Sequence, residues 1–197
     1  IAGSQRFVPH FHIPLQSGCN KILRLMRRRY VRELYAEKVQ LIKKLMPDCC
    51  IGVDVIVGFP GESHEDFLET YHFLNDLAIS YLHVFTYSER DNTAAVSLPD
   101  AVPMKDRNER SKMLHILSDK KRRHFYESQL GKEKMVLFEA DIENGKMHGF
   151  TENYVRVSAK YDPVLINEIR KVRLTALNEQ GLVEVEEAME EILVNFS

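Results

Sequence analysis

The stretch His12-Ile13-Pro14-Leu15-Gln16-Ser17-Gly18 sets polar side chains where a short apolar run gives way to helical spacing. Strand-to-helix junctions of that kind hold the ligands of parallel α/β architectures. Gln16 donates and accepts hydrogen bonds at once, which suits a ribose or an amino-acid carboxylate. Ser17 and Gly18 fall where backbone N–H groups begin to point at a ligand, or where a helix is simply capped. Met26-Arg27-Arg28-Arg29-Tyr30 spaces three guanidiniums roughly 100° apart around a helix, so they cannot all serve one partner. One of them facing the strand ends would clamp a carboxylate in a forked pair, leaving the others to solvent or phosphate.

Asp54 interrupts an otherwise apolar strand. A carboxylate there must be paired or hydrogen-bonded, or its pKa rises. It is either a structural acceptor or one that receives ligand hydroxyls. Gly58-Phe59-Pro60-Gly61-Glu62 makes a tight glycine-bounded turn whose backbone can approach a flat ligand. His83, Phe85 and Tyr87 share one strand face, with Leu82, Val84 and Thr86 on the other. Strand aromatics are ordinarily core; otherwise Phe85 or Tyr87 lines a slot for a flat ring. No metal-ligand spacing is present: Cys49 and Cys50 are adjacent, Cys19 stands alone, and the eight histidines include no H-E-x-x-H pattern.

Alternating elements must position these groups. Phe7–Leu15 reads as a short strand broken by Pro9 and Pro14. Asn20–Leu45 has helical spacing and divides into two helices near Tyr30. Ile51–Gly58 alternates as a strand. Ser63 caps a helix running to Ala78, with Glu65 and Asp66 in its first turn. Tyr81–Tyr87 is a strand, Ser88–Pro103 a loop and Met104–Gln129 one long helix. This order predicts βαβ units, a parallel sheet and an open or closed (β/α) barrel. After Gly131 the pattern changes to short strands at 135–140, 147–151, 154–159, 169–177 and 182–185. Asn144-Gly145 is a hairpin turn between the first two, and the whole reads as a small antiparallel barrel of a type that often binds nucleic acid. The tail from Glu186 is expected to be a short acidic helix.

The chain has 197 residues and a net charge of -2, which excludes a uniformly basic nucleic-acid binder. Charge is nonetheless clustered. Six cations and no acid lie between Lys21 and Arg32, and eight cations against three acids between Lys105 and His124. Such stretches are solvated helix faces or the footprint of an anionic partner. Three cysteines make no disulfide framework and suggest a reducing, cytoplasmic compartment. No apolar run approaches the roughly 18 residues of a membrane span. The chain starts at Ile1 in mid-pattern and is expected to be a piece of a longer protein.

Taken together, His12–Gly18, Met26–Tyr30, Asp54-Val-Ile-Val-Gly-Phe-Pro-Gly-Glu62 and His83-Val-Phe-Thr-Tyr-Ser-Glu-Arg-Asp-Asn-Thr-Ala-Ala95 resemble the methylthiotransferase family of radical S-adenosylmethionine enzymes. Leu82-His-Val-Phe and the three arginines are most similar to the branch that modifies N6-threonylcarbamoyladenosine in tRNA. The region Gly131–Val185, with Gly149-Phe-Thr-Glu-Asn-Tyr-Val-Arg-Val157, resembles that family's RNA-binding TRAM barrel. The resemblance implies the C-terminal half of a radical SAM partial (β/α) TIM-like barrel over residues 1–129, then a TRAM β-barrel over 130–190. It implies methylthiolation of the adenosine beside the anticodon, with S-adenosylmethionine and two [4Fe-4S] clusters in the parent protein. The C-x-x-x-C-x-x-C loop of the radical cluster does not occur in this sequence, so the fragment is expected to be catalytically inert. The alternatives are a methylthiotransferase of isopentenyladenosine or of a ribosomal-protein aspartate, or a non-catalytic RNA-binding module.

Carried onto matching positions, the resemblance puts Gln16, Arg28, Asp54, Gly58, Phe85 and Tyr87 around the cofactor, Arg28 pairing its carboxylate. Val31, Thr86 and Asp91-Asn92 depart from the family pattern. For the tRNA anticodon stem-loop, Arg27, Arg29, Lys121, Arg122 and Arg123 are candidates to neutralise phosphates. Tyr154 and Arg156 are candidates to stack a base and reach a phosphate.

Overall fold

The computed structural model describes residues 2–4, 6–89, 93 and 98–188, the side chain of residue 187 excepted. Asp91-Asn92 and all but the first few residues of the expected acidic helix lie outside them. The chain folds as two compact units, divided in sequence between His124 and Phe125.

The first unit runs β1 (His10–His12), α1 (Asn20–Leu25), α2 (Arg32–Leu45), β2 (Cys50–Val57), α3 (His64–Asp76), β3 (Tyr81–Thr86) and α4 (Met104–Glu127), whose last turn belongs to the second unit. The strands are parallel in the order β1-β2-β3. The expected first strand is only three residues long. Pro9 and Pro14 flank it, and proline cannot donate to a ladder. The chain rejoins the sheet as a single bridge, Gln16 beside Val55.

Alternation along β2 decides what is covered. Ile51, Val53, Val55 and Val57 are wholly buried, in one cluster with Tyr35 and Val39 of α2, Phe67 and Leu74 of α3, and Leu114 and Leu117 of α4. Asp54 and Ile56 point to the other face, which they share with His10, His12, Tyr81, His83 and Phe85. No helix of the described residues contributes to a cluster on that face, and we call it the open face.

Two caps aim the loops. Ser63 and Asp66 form a reciprocal capping box at the start of α3. α1 ends in a Schellman turn: the Arg28 N–H donates to the Leu23 carbonyl and the Arg27 N–H to that of Arg24. Arg27 holds the left-handed position, φ +56°, that usually falls to glycine. This is why the helical stretch divides before Tyr30.

The second unit is a closed barrel in the order β4-β5-β6-β8-β7, with β4 at Glu133–Glu143, β5 at Lys146–Thr151, β6 at Arg156–Lys160, β7 at Ile169–Leu177 and β8 at Val183–Glu187. The expectation of a purely antiparallel barrel is corrected at one seam. β6 and β8 pair in parallel through Val157–Val183 and Ser158–Glu184, and that pairing closes the circle. Asn144 and Gly145 both take positive φ, 52° and 75°, as the hairpin signal requires. Tyr154 is not a strand residue. It occupies a left-handed position, φ +66°, in a turn where the Val155 N–H donates to Thr151 Oγ1. Val136, Phe138, Met147, Val157, Leu174 and Val183 fill the interior.

Candidate functional site

The site is built from the carboxyl ends of three parallel strands. Gln16 reaches its place by a left-handed turn, φ +73°. Its N–H donates to the Asp54 carbonyl at 2.8 Å, and its carbonyl accepts the Ile56 N–H at 2.9 Å. The neighbouring Tyr87 N–H donates to the Val57 carbonyl. Backbone pairing therefore brings Gln16, Asp54, Gly58, Phe85 and Tyr87 to one end of the sheet.

Arg28 arrives indirectly. The Tyr30 hydroxyl donates to the Leu15 carbonyl at 2.8 Å. Burial raises the pKa of that hydroxyl, and the positive charge of Arg28 opposes the rise. The Arg28 side chain is itself exposed.

The Ser17 hydroxyl and the Gly18 amide are turned to α3 and not to a ligand. Ser17 Oγ and the Gly18 N–H both bond Thr70 Oγ1 on α3, at 3.1 and 3.2 Å. A Cβ on Gly18 would meet the Phe73 ring at 2.9 Å, so this glycine serves helix packing.

The Gly58–Glu62 turn is clasped from α4. Gly58 takes φ +75°, and the space of its missing Cβ is filled by the Arg107 side chain, not by a ligand. Arg107 fans over the loop after β3. Nε donates to the Val102 carbonyl at 2.7 Å, Nη1 to the Tyr87 carbonyl at 2.9 Å and Nη2 to Glu89 at 2.6 Å. Arg110 donates to the Glu62 carbonyl and to Glu62 Oε2, which also accepts the Gly58 N–H at 2.7 Å. The Arg110–Glu62 side chains are only 9% and 1% exposed. Burial holds the Glu62 carboxyl above the usual carboxylate range, against the pull of the Gly58 amide and Arg110. Sequence reasoning missed these two arginines, because a buried cation on a charged helix carries no pattern of its own.

On the open face, Asp54 Oδ1 lies 2.6 Å from His12 Nε2. The His12 ring stacks on His83, centroids 4.9 Å apart. His10 Nε2 meets the Tyr81 hydroxyl at 2.9 Å, and the Tyr81 ring stands edge-on to His83. Phe85, one step nearer the strand ends, is 52% exposed. The Tyr87 ring turns towards Phe59 at 5.3 Å, and its buried hydroxyl has no partner among the described residues; neither does Glu62 Oε1.

The cationic candidates divide. Arg27 and Arg29 are exposed at the α1–α2 link. Lys121 is corrected: its ammonium caps the end of α3, donating to the Asn75 and Leu77 carbonyls at 2.7 Å each, which removes it from phosphate. Arg122 pairs with Asp119 on its own helix at 2.6 Å, and Arg123 is exposed. On the barrel, Tyr154 stacks on Phe150 with centroids 4.7 Å apart, and the Arg156 guanidinium lies 5.1 Å from the Phe150 ring. Arg156 also pairs with Asp141 at 3.3 Å, which lessens its value to a phosphate. Phe150, missed in the sequence, joins Tyr154 and Arg156 into one stacked platform.

Comparison with known proteins decides among the families these residues suit. Residues 2–74 match the radical SAM superfamily. The chain is 47% identical over 157 residues to the threonylcarbamoyladenosine tRNA methylthiotransferase of Aquifex aeolicus, covering 80% of this chain and 37% of that protein. The Bacillus subtilis protein of the same name is 40% identical over 176 residues, 87% of this chain and 39% of its own length. The chain belongs to the radical SAM tRNA methylthiotransferase family. A tRNA-2-methylthio-N(6)-dimethylallyladenosine synthase of Vesicomyosocius okutanii is 35% identical over 85% of this chain and 38% of its own length. The chain thus spans about two fifths of the relatives it matches. No helix of the described residues is long and apolar enough to cross a membrane.

The family uses S-adenosylmethionine and iron–sulfur chemistry. The strand ends fit the first, offering two buried polar atoms without partners among the described residues and, at Phe85, an exposed aromatic ring. The cysteines do not fit the second. Cys19, Cys49 and Cys50 are all buried, and burial pushes their thiols up to about 11, 11 and 12. Cys19 comes within 4.8 Å of Asp66 and Glu69. Asp66 is already taken by Lys21 at 2.6 Å and by the Ser63 N–H, so this group is a helix cap, not a metal centre.

Proposed function

We propose that this chain is the part of a tRNA methylthiotransferase that holds S-adenosylmethionine at the ends of β1–β3, within half of a (β/α) barrel, and offers a TRAM-type barrel to the anticodon stem-loop. The carrying observation is the likeness to two threonylcarbamoyladenosine tRNA methylthiotransferases at 47% and 40% identity. Gln16 and Arg28 suit the cofactor's ribose and carboxylate, and Phe85 its base or the substrate's. Tyr87 and Glu62 supply acceptors within the loops clasped by Arg107 and Arg110. When bound with its cluster, the cofactor supplies a carbon radical that activates an adenosine carbon for sulfur insertion.

Arg27, Arg29, Arg123 and the Phe150–Tyr154–Arg156 platform would meet RNA through phosphates and a stacked base. Filter binding should retain tRNA at low salt, with affinity falling steeply as salt rises; salt-independent retention would contradict the reading. Isothermal titration should detect S-adenosylmethionine binding that Gln16→Ala weakens about tenfold. Because its cysteines are buried thiols, the chain by itself should not cleave the cofactor after treatment with iron and sulfide. Cleavage with a cluster absorbance would overturn that part.

A further inference from the structure

We infer that His83 and His12, on the open face of the sheet, recognise the carboxylate and the hydroxyl of an N6-threonylcarbamoyl substituent and so set which modified adenosine this protein accepts. The inference rests on the tRNA reading above and adds the group recognised and the residues that do it. The relatives' names offer two substituents of opposite chemistry. Threonylcarbamoyl carries a carboxylate and a hydroxyl, whereas dimethylallyl is wholly apolar. The face beneath Phe85 can be asked which it suits.

Three imidazoles and a phenol line it: His10 and His12 from β1, Tyr81 and His83 from β3. The one carboxylate there, Asp54, is held by His12 Nε2 at 2.6 Å. That bond orients the His12 ring and spends its one N–H, so the Nδ1 lone pair, without a hydrogen-bond partner among the described residues, is left as an acceptor for a hydroxyl. Neither ring nitrogen of His83 has one either; the ring is fixed by stacking on His12 and by the edge of Tyr81. Two oriented, partly exposed imidazoles make a docking point in which the His83 N–H donates to a carboxylate oxygen and His12 Nδ1 accepts from a hydroxyl. An apolar substituent in the same place would strip water from those nitrogens and return nothing.

The reach is suitable. His83 lies two residues from Phe85 on the same face, about 7 Å along the strand. A base stacked on the exposed Phe85 ring therefore carries its exocyclic substituent to the level of His83. A purely structural role, in which the histidines only tie β1 to β3, would give no preference between substituents.

The experiment compares three stem-loop RNAs that differ only at one adenosine: unmodified, N6-threonylcarbamoyl and N6-dimethylallyl. The chain should bind the threonylcarbamoyl RNA about tenfold more tightly than the other two. His83→Phe keeps a stacked ring, and should erase that preference while leaving affinity for the unmodified RNA unchanged. His83→Lys should retain the preference, since its ammonium also donates to a carboxylate. With labelled histidine, the free threonylcarbamoyl nucleoside should shift the His12 and His83 ring-nitrogen resonances. RNA that binds without any preference, or a preference that survives in His83→Phe, overturns the inference and leaves the tRNA reading standing. Failure of all three RNAs to bind overturns both.

Discussion

The two units solve the same problem, burying one face of a sheet, in opposite ways. The barrel closes on itself. Its five strands leave no unpaired edge, most of its buried side chains are apolar, though His148, Thr151, Asn153 and Ser158 are buried too, and most of its ion pairs are peripheral, the buried His148 with Asp141 being an exception. Lys171–Glu133, Arg173–Glu133, Lys146–Glu184 and Arg156–Asp141 each have both partners about a third exposed or more. The parallel sheet keeps one face under helices and leaves the other open, and among the described residues the outer edges of β1 and β3 pair with no further strand. Its buried charges sit at the strand ends, where Arg107 and Arg110 hold the loops. A closed, mostly apolar barrel makes a rigid presenting surface. A sheet with polar groups on an open face and clasped loops makes a place for chemistry.

The sharpest break in that contrast is Arg110→Ala. It leaves the Glu62 carboxylate buried without its cation, and removing one partner of a buried pair typically costs about 3–5 kcal/mol. Amide hydrogen exchange, resolved by residue, should show the loss throughout the first unit and none in the barrel. Replacing both partners, Arg110→Met with Glu62→Gln, should restore most of the loss, since no uncompensated charge remains. An equal cost for single and double replacements would mean that the clasp acts through packing instead of charge.

Leu174→Ala is the counterpart in the barrel. The side chain is fully buried, and a cavity of that kind costs about 3 kcal/mol. Exchange should now accelerate in β4 to β8 and leave β2 protected. Lys121→Met is a smaller test within the first unit. Its ammonium satisfies two carbonyls at the end of α3, so its loss should cost about 1 kcal/mol. It should leave tRNA retention unchanged, as befits a helix cap.

Which parts were legible follows from how far each interaction reaches along the chain. The Ser63 cap, the Asn144-Gly145 turn and the alternation of β2 are local, and local residues encode them. The division of α1 from α2 was visible, but its cause, an arginine in the left-handed position, was not, because nothing near Arg27 announces it. The parallel β6–β8 seam depends on barrel closure, which no strand carries alone. Arg107 and Lys121 lie on α4, whose basic stretch looks like a solvated face. Only the loops and helix end that reach them show otherwise. His12 and His83 stood inside quoted motifs, and their meeting is a matter of sheet register.

Acid separates the two units most finely. Hydrogen bonds from Lys171 and Arg173 hold the exposed Glu133 carboxyl below its ordinary value. A carboxyl depressed by folding contributes stability that is present above about 4.5 and is lost as pH falls through the folded value. Glu62 has the opposite sign. Burial raises its carboxyl, so its contribution is present below about 4.5 and is lost as pH rises through the raised value. Between about pH 6 and about pH 3.5, with exchange corrected for its intrinsic pH dependence, the Glu133 contribution weakens the barrel and the Glu62 contribution strengthens the parallel sheet. Glu133→Gln should flatten the acid limb in β4 and β7, and Glu62→Gln should flatten the slope around the Gly58 loop. Slopes of the same sign, in wild type minus variant, would show that Glu62 behaves as an ordinary ion-paired carboxylate and that the two units do not differ in how they handle charge.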